Sequence, residues 1–202
     1  MLFNSLKFLL IFPLIFGIHW VIPAKYNQCR KLFLILVSYL LYMNFKPAFA
    51  LVLLGVTLVT FCGGQIIEHK ETARKKHLVW LFALLGLLPL LVFKYYNFLN
   101  ESITEGLGAI GLKFALAGLN WAIPVGISFF TFQAVGYMLD IYHERIKAER
   151  SFIDYLLFVS FFPQIASGPI SKADELLPQI KRERIFDYDQ AVSGLKYLLW
   201  GM

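Results

Sequence analysis

Residues 121–142 read WAIPVGISFFTFQAVGYMLDIY, and residues 152–180 read FIDYLLFVSFFPQIASGPISKADELLPQI. Both runs are apolar enough to enter a membrane, and both carry what a plain membrane helix avoids. The first holds Gln133 and Asp140; the second is broken by Pro163, Gly168 and Pro169. A charged group at the bilayer centre costs about 2.5–3.5 kcal/mol or more, so polar groups there face a protein interior, a cavity or a substrate path. Helix breaks at membrane depth are tolerated only where protein or water satisfies the freed backbone groups. These two segments decide the fold and mark where function should be sought.

Working outward, the rest of the chain has the same character. Hydrophobic residues make up 58% of its 202 residues and charged residues only 16%, with twenty phenylalanines. A soluble domain of this size needs more charge on its surface. Further apolar runs cover residues 6–22, 31–45, 47–67 and 78–98, and another begins near Ala191. A run of about 20 apolar residues crosses the hydrocarbon core. The expected fold is therefore all-α: a multi-pass helical membrane protein with about five full spans, a broken or re-entrant segment at residues 152–170, and an incomplete last helix. The first run has only Lys7 ahead of it, no convincing small-residue cleavage site, and several spans behind it, so it reads as a retained helix and not as a signal peptide.

The formal charge of +6 does not point to nucleic acid, because Lys and Arg sit in short segments between apolar runs. Three fall in residues 23–31, one at Lys46, four in 68–77, one at Lys113 and three in 143–151. This alternation follows the positive-inside rule and places the N-terminus outside, with the rich segments cytoplasmic. Residues 171–190 carry Lys172, Lys181, Arg182 and Arg184 and break the alternation. Both flanks of residues 152–170 lie inside if that segment enters the membrane and returns, turning at the Pro and Gly breaks of 163–169. Cys29 and Cys62 then both lie toward the cytoplasm, where thiols stay reduced. The segment FKYYNF at 93–98 suits an interfacial anchor, with Lys94 snorkelling beside Tyr95 and Tyr96. Residues 101–120, rich in small residues, read as an external loop with a short interfacial helix at 112–119.

Helical periodicity puts Gly126, Gln133 and Asp140 on one stripe, with Phe129 and Gly136 beside it. A face with a glycine, an amide and a carboxylate does not face lipid. It is either an interhelical hydrogen-bond seam with small residues for close packing, or the lining of a cavity or tunnel, and the two are compatible. His69 and His77 sit in a charged segment, His19 lies beside Trp20, and His143 closes the fifth apolar run. No nucleotide loop, zinc motif or nucleophile elbow is present, so no intrinsic catalytic machinery is visible.

PVGISFFTFQAVGYMLDIY and FFPQIASGPISKADELLPQI resemble the paired signatures of bacterial membrane-bound O-acyltransferases, in particular the alginate O-acetylation group. The opening LKFLLIFPLIFGIHW, the SYLLYMNFKP segment and FKYYNF fit the same pattern in order and spacing. Ser167 stands where the family usually has Ala, and Lys172 where it commonly has Arg; Lys keeps the charge but loses the planar fork. The resemblance implies that residues 1–202 are the N-terminal portion of a single acyltransferase domain. It places the family's catalytic histidine beyond residue 202, so that this polypeptide alone should be inactive. The residues expected to wall the membrane tunnel are Gly126, Phe129, Gln133, Tyr137, Asp140, Phe162, Pro163, Gln164, Gly168, Pro169 and Lys172. No bound cofactor or metal is implied; the donor is an acyl thioester or a carrier-bound acyl group. The implied partners are the lipid bilayer, the C-terminal half of the enzyme, and other polysaccharide-acetylation proteins or an acyl carrier. The implied location is the inner membrane of a bacterium. Two other classes compete: a membrane scaffold that recruits partners, and a transporter, although neither inverted repeats nor a second broken helix pair are visible.

Overall fold

The computed structural model of the chain describes residues 6–44, 46–69, 72–109, 123–165 and 170–200. Among the described residues every regular element is helical. Helix α1 covers Leu6–Val21, and a 3-10 turn at Ala24–Tyr26 leads into α2, Asn27–Met43. α3 is Pro47–Glu68, α4 is Thr72–Ala109 and α5 is Ile127–Tyr142. α6, Phe152–Ser160, and α7, Phe162–Ile165, are two pieces of one interrupted segment. α8 is Ala173–Lys181 and α9 is Tyr188–Trp200.

α3 opens on Pro47, in the first turn, where a missing N–H leaves nothing unsatisfied. Its 22 residues, most of them apolar, rise about 33 Å, enough for a hydrocarbon core. Among the described residues, α3 and residues Arg74–Tyr96 of α4 are long and apolar enough to cross a membrane, and Leu10–Val21 is a shorter apolar helix. Their outer faces are greasy: Leu10 is 77% exposed, Leu51 71% and Trp80 69%. Apolar surface this extensive needs a cover other than water.

α3, α4 and α5 pack on one another around Leu53, Val56, Phe130, Ala134 and Met138. The close approach is set by Gly63 and Gly64 of α3. A Cβ at Gly63 would lie 2.8 Å from Cγ of Phe82, and one at Gly64 would lie 2.8 Å from the Tyr137 ring. A Cβ at Gly136 would meet nothing within 4 Å. The small residues that let helices touch are therefore on α3, not on the polar stripe of α5.

Several boundaries differ from the sequence reading, three of them in α4, α5 and the interrupted segment. α4 continues to Ala109, about 57 Å in all, so residues 101–109 are helical and not the start of a loop. Hydropathy falls after Phe98, but backbone hydrogen bonding does not depend on side-chain polarity. The interfacial helix expected at 112–119 lies outside the described residues. α5 begins only at Ile127, because Gly126 has φ 73° and no L side chain takes that backbone readily. Gly126 thus caps the helix instead of extending its stripe. The third difference is an interruption at Phe161 (φ −60°, ψ 110°), ahead of Pro163, which is the second residue of α7; residues 166–169, within the expected turn, lie outside the described residues.

α5 ends with two reversed hydrogen bonds, Glu144 N–H to the Ile141 carbonyl at 3.0 Å and Arg145 N–H to the Asp140 carbonyl at 2.9 Å. Glu144 takes the left-handed position at φ 60°, where glycine is the usual choice. The basic segments counted along the sequence converge at this end. Arg150 pairs with Glu68 at 2.7 Å, Lys75 with Glu144 at 3.0 Å and Lys181 with Glu149 at 2.6 Å. Arg30 reaches the Arg184 carbonyl at 2.8 Å. Residues 171–190, expected as a loop, contain α8, which buries Ala173 and Leu177 at i and i+4. α9 starts at Tyr188, ahead of Ala191, and leaves Trp200 90% exposed.

Candidate functional site

The interruption at Phe161 separates two groups that a continuous helix would join, the Phe158 carbonyl and the Phe162 N–H. Each is taken by a side chain from another helix. Gln133 Nε2 of α5 donates to the Phe158 carbonyl at 3.0 Å. The Phe162 N–H donates to Ser38 Oγ of α2 at 3.2 Å, and Ser38 donates on to its own Leu34 carbonyl at 2.7 Å. Gln133 and Ser38 are both buried. An unsatisfied buried amide or carbonyl costs about 1–3 kcal/mol, so these two contacts make the break tolerable.

Two further hydrogen bonds fix the same region. Tyr155 is fully buried and donates to Thr60 Oγ1 at 2.8 Å; Thr60 donates to the Val56 carbonyl at 2.7 Å. Tyr137 stacks obliquely on Tyr155, with centroids 4.5 Å apart, and its hydroxyl accepts the Glu149 N–H at 2.8 Å. Glu149 is a hub: its carbonyl accepts from Gln65 Nε2, its Oε1 from Ser151 N–H at 3.0 Å, and its Oε2 pairs with Lys181. At the start of α6, Ser151 Oγ accepts the Asp154 N–H at 3.3 Å. Asp154 in turn holds Lys31 of α2 at 2.6 Å, with both side chains under 10% exposed.

The residues singled out from the sequence divide accordingly. Gln133, Tyr137 and Phe162 are buried around the break, Phe162 in a small cluster with Ile15 of α1. Phe129, Pro163 and Gln164 are half-buried, and Gln164 Oε1 is buried without a hydrogen-bond partner among the described residues. Gly126 lies at the N-terminus of α5, held through Tyr42, whose hydroxyl donates to the Val125 carbonyl at 3.0 Å. Asp140 sits at the polar end of α5 and pairs with Arg145 at 3.2 Å, away from Gln133. Lys172 is exposed at the cap of α8. Gly168 and Pro169 lie outside the described residues.

Sequence reading passed over Ser38, Lys31, Asp154 and Glu149. Only Asp154 carried a local signal: Ser151 followed three residues later by an acid is a helix-start signature. Among the histidines, His69 and His143 contact carbonyls of their own helices, Gln65 at 2.7 Å and Leu139 at 2.8 Å. His77 is exposed.

Next to the break lies a cavity of about 230 Å³, bounded by the end of α1, the start of α2, the last turn of α6, and α8 with the segment after it. Arg30, Arg182 and Arg184 line one side and Leu157, Phe161 and Leu176 the other. A polar rim against an apolar wall is the chemistry of a small-molecule or headgroup site.

No protein-family model matches the chain. Known relatives do. Over 205 residues, all of this chain and 38% of the relative, it is 30% identical to the probable alginate O-acetylase AlgI of Pseudomonas aeruginosa. The protein of that name from Pseudomonas putida is 32% identical over 205 residues, all of this chain and 41% of the relative. The peptidoglycan O-acetyltransferase of Helicobacter pylori is 28% identical over 225 residues, 96% of this chain and 42% of the relative. The chain thus spans about two fifths of the length of these relatives.

Proposed function

We propose that this chain, homologous along its length to bacterial O-acetylases, is the N-terminal part of a membrane-bound O-acyltransferase acting on hydroxyls of an exported polysaccharide. The observation that carries this reading is whole-chain similarity to relatives named for two different glycans, alginate and peptidoglycan. The chemistry common to both is ester formation on a sugar hydroxyl. A general base takes the hydroxyl proton while the oxygen attacks the carbonyl of an acyl thioester or a carrier-bound acyl group; the ester bond forms as the donor's acyl bond breaks, and the thiol or carrier leaves with the proton.

In this reading the described helices position and do not abstract protons. No histidine among the described residues hydrogen-bonds to a carboxylate, and this reading assigns the base to none of them. Gln133, Tyr137, Phe162 and the interrupted α6–α7 segment form one wall of the membrane path between donor and acceptor. The two hydrogen bonds that fix the break support that role, because irregular backbone at membrane depth is tolerated only where protein satisfies its polar groups or where it lines a cavity. The convergent Lys/Arg segments support a reading with that end in the cytoplasm and the N-terminus outside, in the inner membrane. α6–α7 is then an element that enters and returns.

The test is a chimera. The matching two fifths of the Pseudomonas putida relative is replaced by this chain, in a strain lacking its own O-acetylase, and acetyl ester on secreted polysaccharide is measured. Ester restored to at least a tenth of the parental level supports the reading. Background ester, from a chimera present in the membrane at the parental amount, overturns it.

A further inference from the structure

We propose that the cavity between α1, α2, α6 and α8 is a seat for a phosphate group, carried by an anionic lipid or by a soluble phosphate ester. Two neighbouring cations on its wall make the contrast. Lys31 is neutralised by Asp154 at 2.6 Å. Arg30 is only 6% exposed, yet its Nε donates to the Ile22 carbonyl at 2.7 Å and its Nη1 to the Arg184 carbonyl at 2.8 Å. Its third neighbour is the Trp20 ring, 5.1 Å from Cζ. All three partners are neutral, and no carboxylate pairs with Arg30 among the described residues. A buried charge met only by neutral groups is costly, and a guanidinium does not shed its proton to escape that cost.

The other polar groups on the same wall repeat the pattern. Arg184 donates to Gln179 Oε1 at 3.2 Å, a neutral acceptor, and Arg182 is exposed with no carboxylate partner among the described residues. His19 lines the cavity with its Nδ1 buried and without a hydrogen-bond partner among the described residues. No Asp or Glu is among the lining residues. Three guanidinium charges therefore converge on about 230 Å³, room for one oxyanion and the start of what it is attached to. Guanidinium forks suit phosphate oxygens, and the facing Leu157, Phe161 and Leu176 suit an acyl or other apolar chain. The cavity also lies at the basic end of the helices, the level at which headgroups meet a membrane protein.

The experiment is native mass spectrometry of the full chain, purified in a phosphate-free detergent. It is titrated separately with dioleoylphosphatidylglycerol, with dioleoylglycerol (the same chains without phosphate) and with inorganic phosphate. Wild type is compared with R182Q/R184Q and with K147Q, which removes an exposed cation that does not line the cavity. Neither arginine change disturbs the Arg184 carbonyl that Arg30 uses, and circular dichroism verifies helix content. The phosphatidyl lipid should be retained at about tenfold lower concentration than dioleoylglycerol, a preference lost in R182Q/R184Q and kept in K147Q. Retention of inorganic phosphate with the same variant pattern also supports the seat and assigns it to a soluble ester. Equal retention of the two lipids without phosphate retention overturns the proposal. So does a preference that survives R182Q/R184Q or falls equally in K147Q.

Discussion

α5 and the α6–α7 segment look alike on paper, apolar runs each interrupted by residues a membrane helix should not hold. In space they are opposites. α5 is continuous from Ile127 to Tyr142 and spends its one buried amide, Gln133, on a neighbour. The α6–α7 segment is broken at Phe161 and consumes hydrogen bonds from both α5 and α2. A polar residue inside an apolar run thus has two meanings, a group that needs a partner or a group that serves one. Here the proline- and glycine-rich run is the debtor and the glutamine is the partner it was placed to find.

The largest effect expected around this pair is at the anchor of α6. Lys31→Ala leaves Asp154 buried and unpaired and should cost about 3–5 kcal/mol, read as a lowered melting temperature in detergent. Lys31→Met with Asp154→Leu should recover most of that loss; a double variant as unstable as the single one would show that the pair does more than cancel charge. Next comes the packing behind α5. Gly64→Val drives side-chain carbon into the Tyr137 ring and should cost about 1–3 kcal/mol, whereas Gly136→Ala, with open space around its Cβ, should be neutral or mildly stabilising. Equal effects at the two glycines would contradict the assignment of close packing to α3.

Gln133→Leu tests the donor–acceptor relation directly and should cost about 1–2 kcal/mol by orphaning the Phe158 carbonyl. In a Pro163→Ala background the cost should shrink, because the Phe158 carbonyl and Phe162 N–H are then freer to bond each other as in an ordinary helix. A cost unchanged by that background would mean that the break is held by packing alone. The smallest effect on stability belongs to Asp140→Asn. Its partner Arg145 is 69% exposed, and pairs of this kind contribute about 0–1 kcal/mol. Acetylation by a chimera carrying Asp140→Asn separates roles: unchanged ester at an unchanged protein level removes this carboxylate from the tunnel wall.

Much of this was readable from residues. The need for partners at the break followed from Pro163 and its apolar surroundings, and the clustering of basic segments followed from counting Lys and Arg. What was not readable is which residues serve the break. Ser38 and Phe162 are 124 positions apart, and a serine in an apolar helix carries no local mark of its partner. Lys31 and Asp154, 123 apart, each look like an interfacial charge until the fold joins them. Gly63 and Gly64 passed as ordinary members of an apolar run, since hydropathy is blind to how near another helix comes. Asp140 shares the Gln133 stripe by periodicity, and the fold adds what periodicity does not give, its pairing with Arg145 at the helix end.

The two side chains that serve the break, Ser38 and Gln133, both precede residues 158–162 in the chain. Synthesis runs from the N-terminus and early segments fold first. Both partners have therefore left the ribosome before the irregular stretch emerges, and the interrupted backbone at Phe161 enters surroundings already furnished with its hydrogen-bonding groups. Had Ser38 or Gln133 lain downstream, the Phe158 carbonyl and Phe162 N–H would have waited unpaired in lipid for a later helix. The order of the chain is in that sense an assembly schedule, with the fragile joint delivered after the helices that hold it.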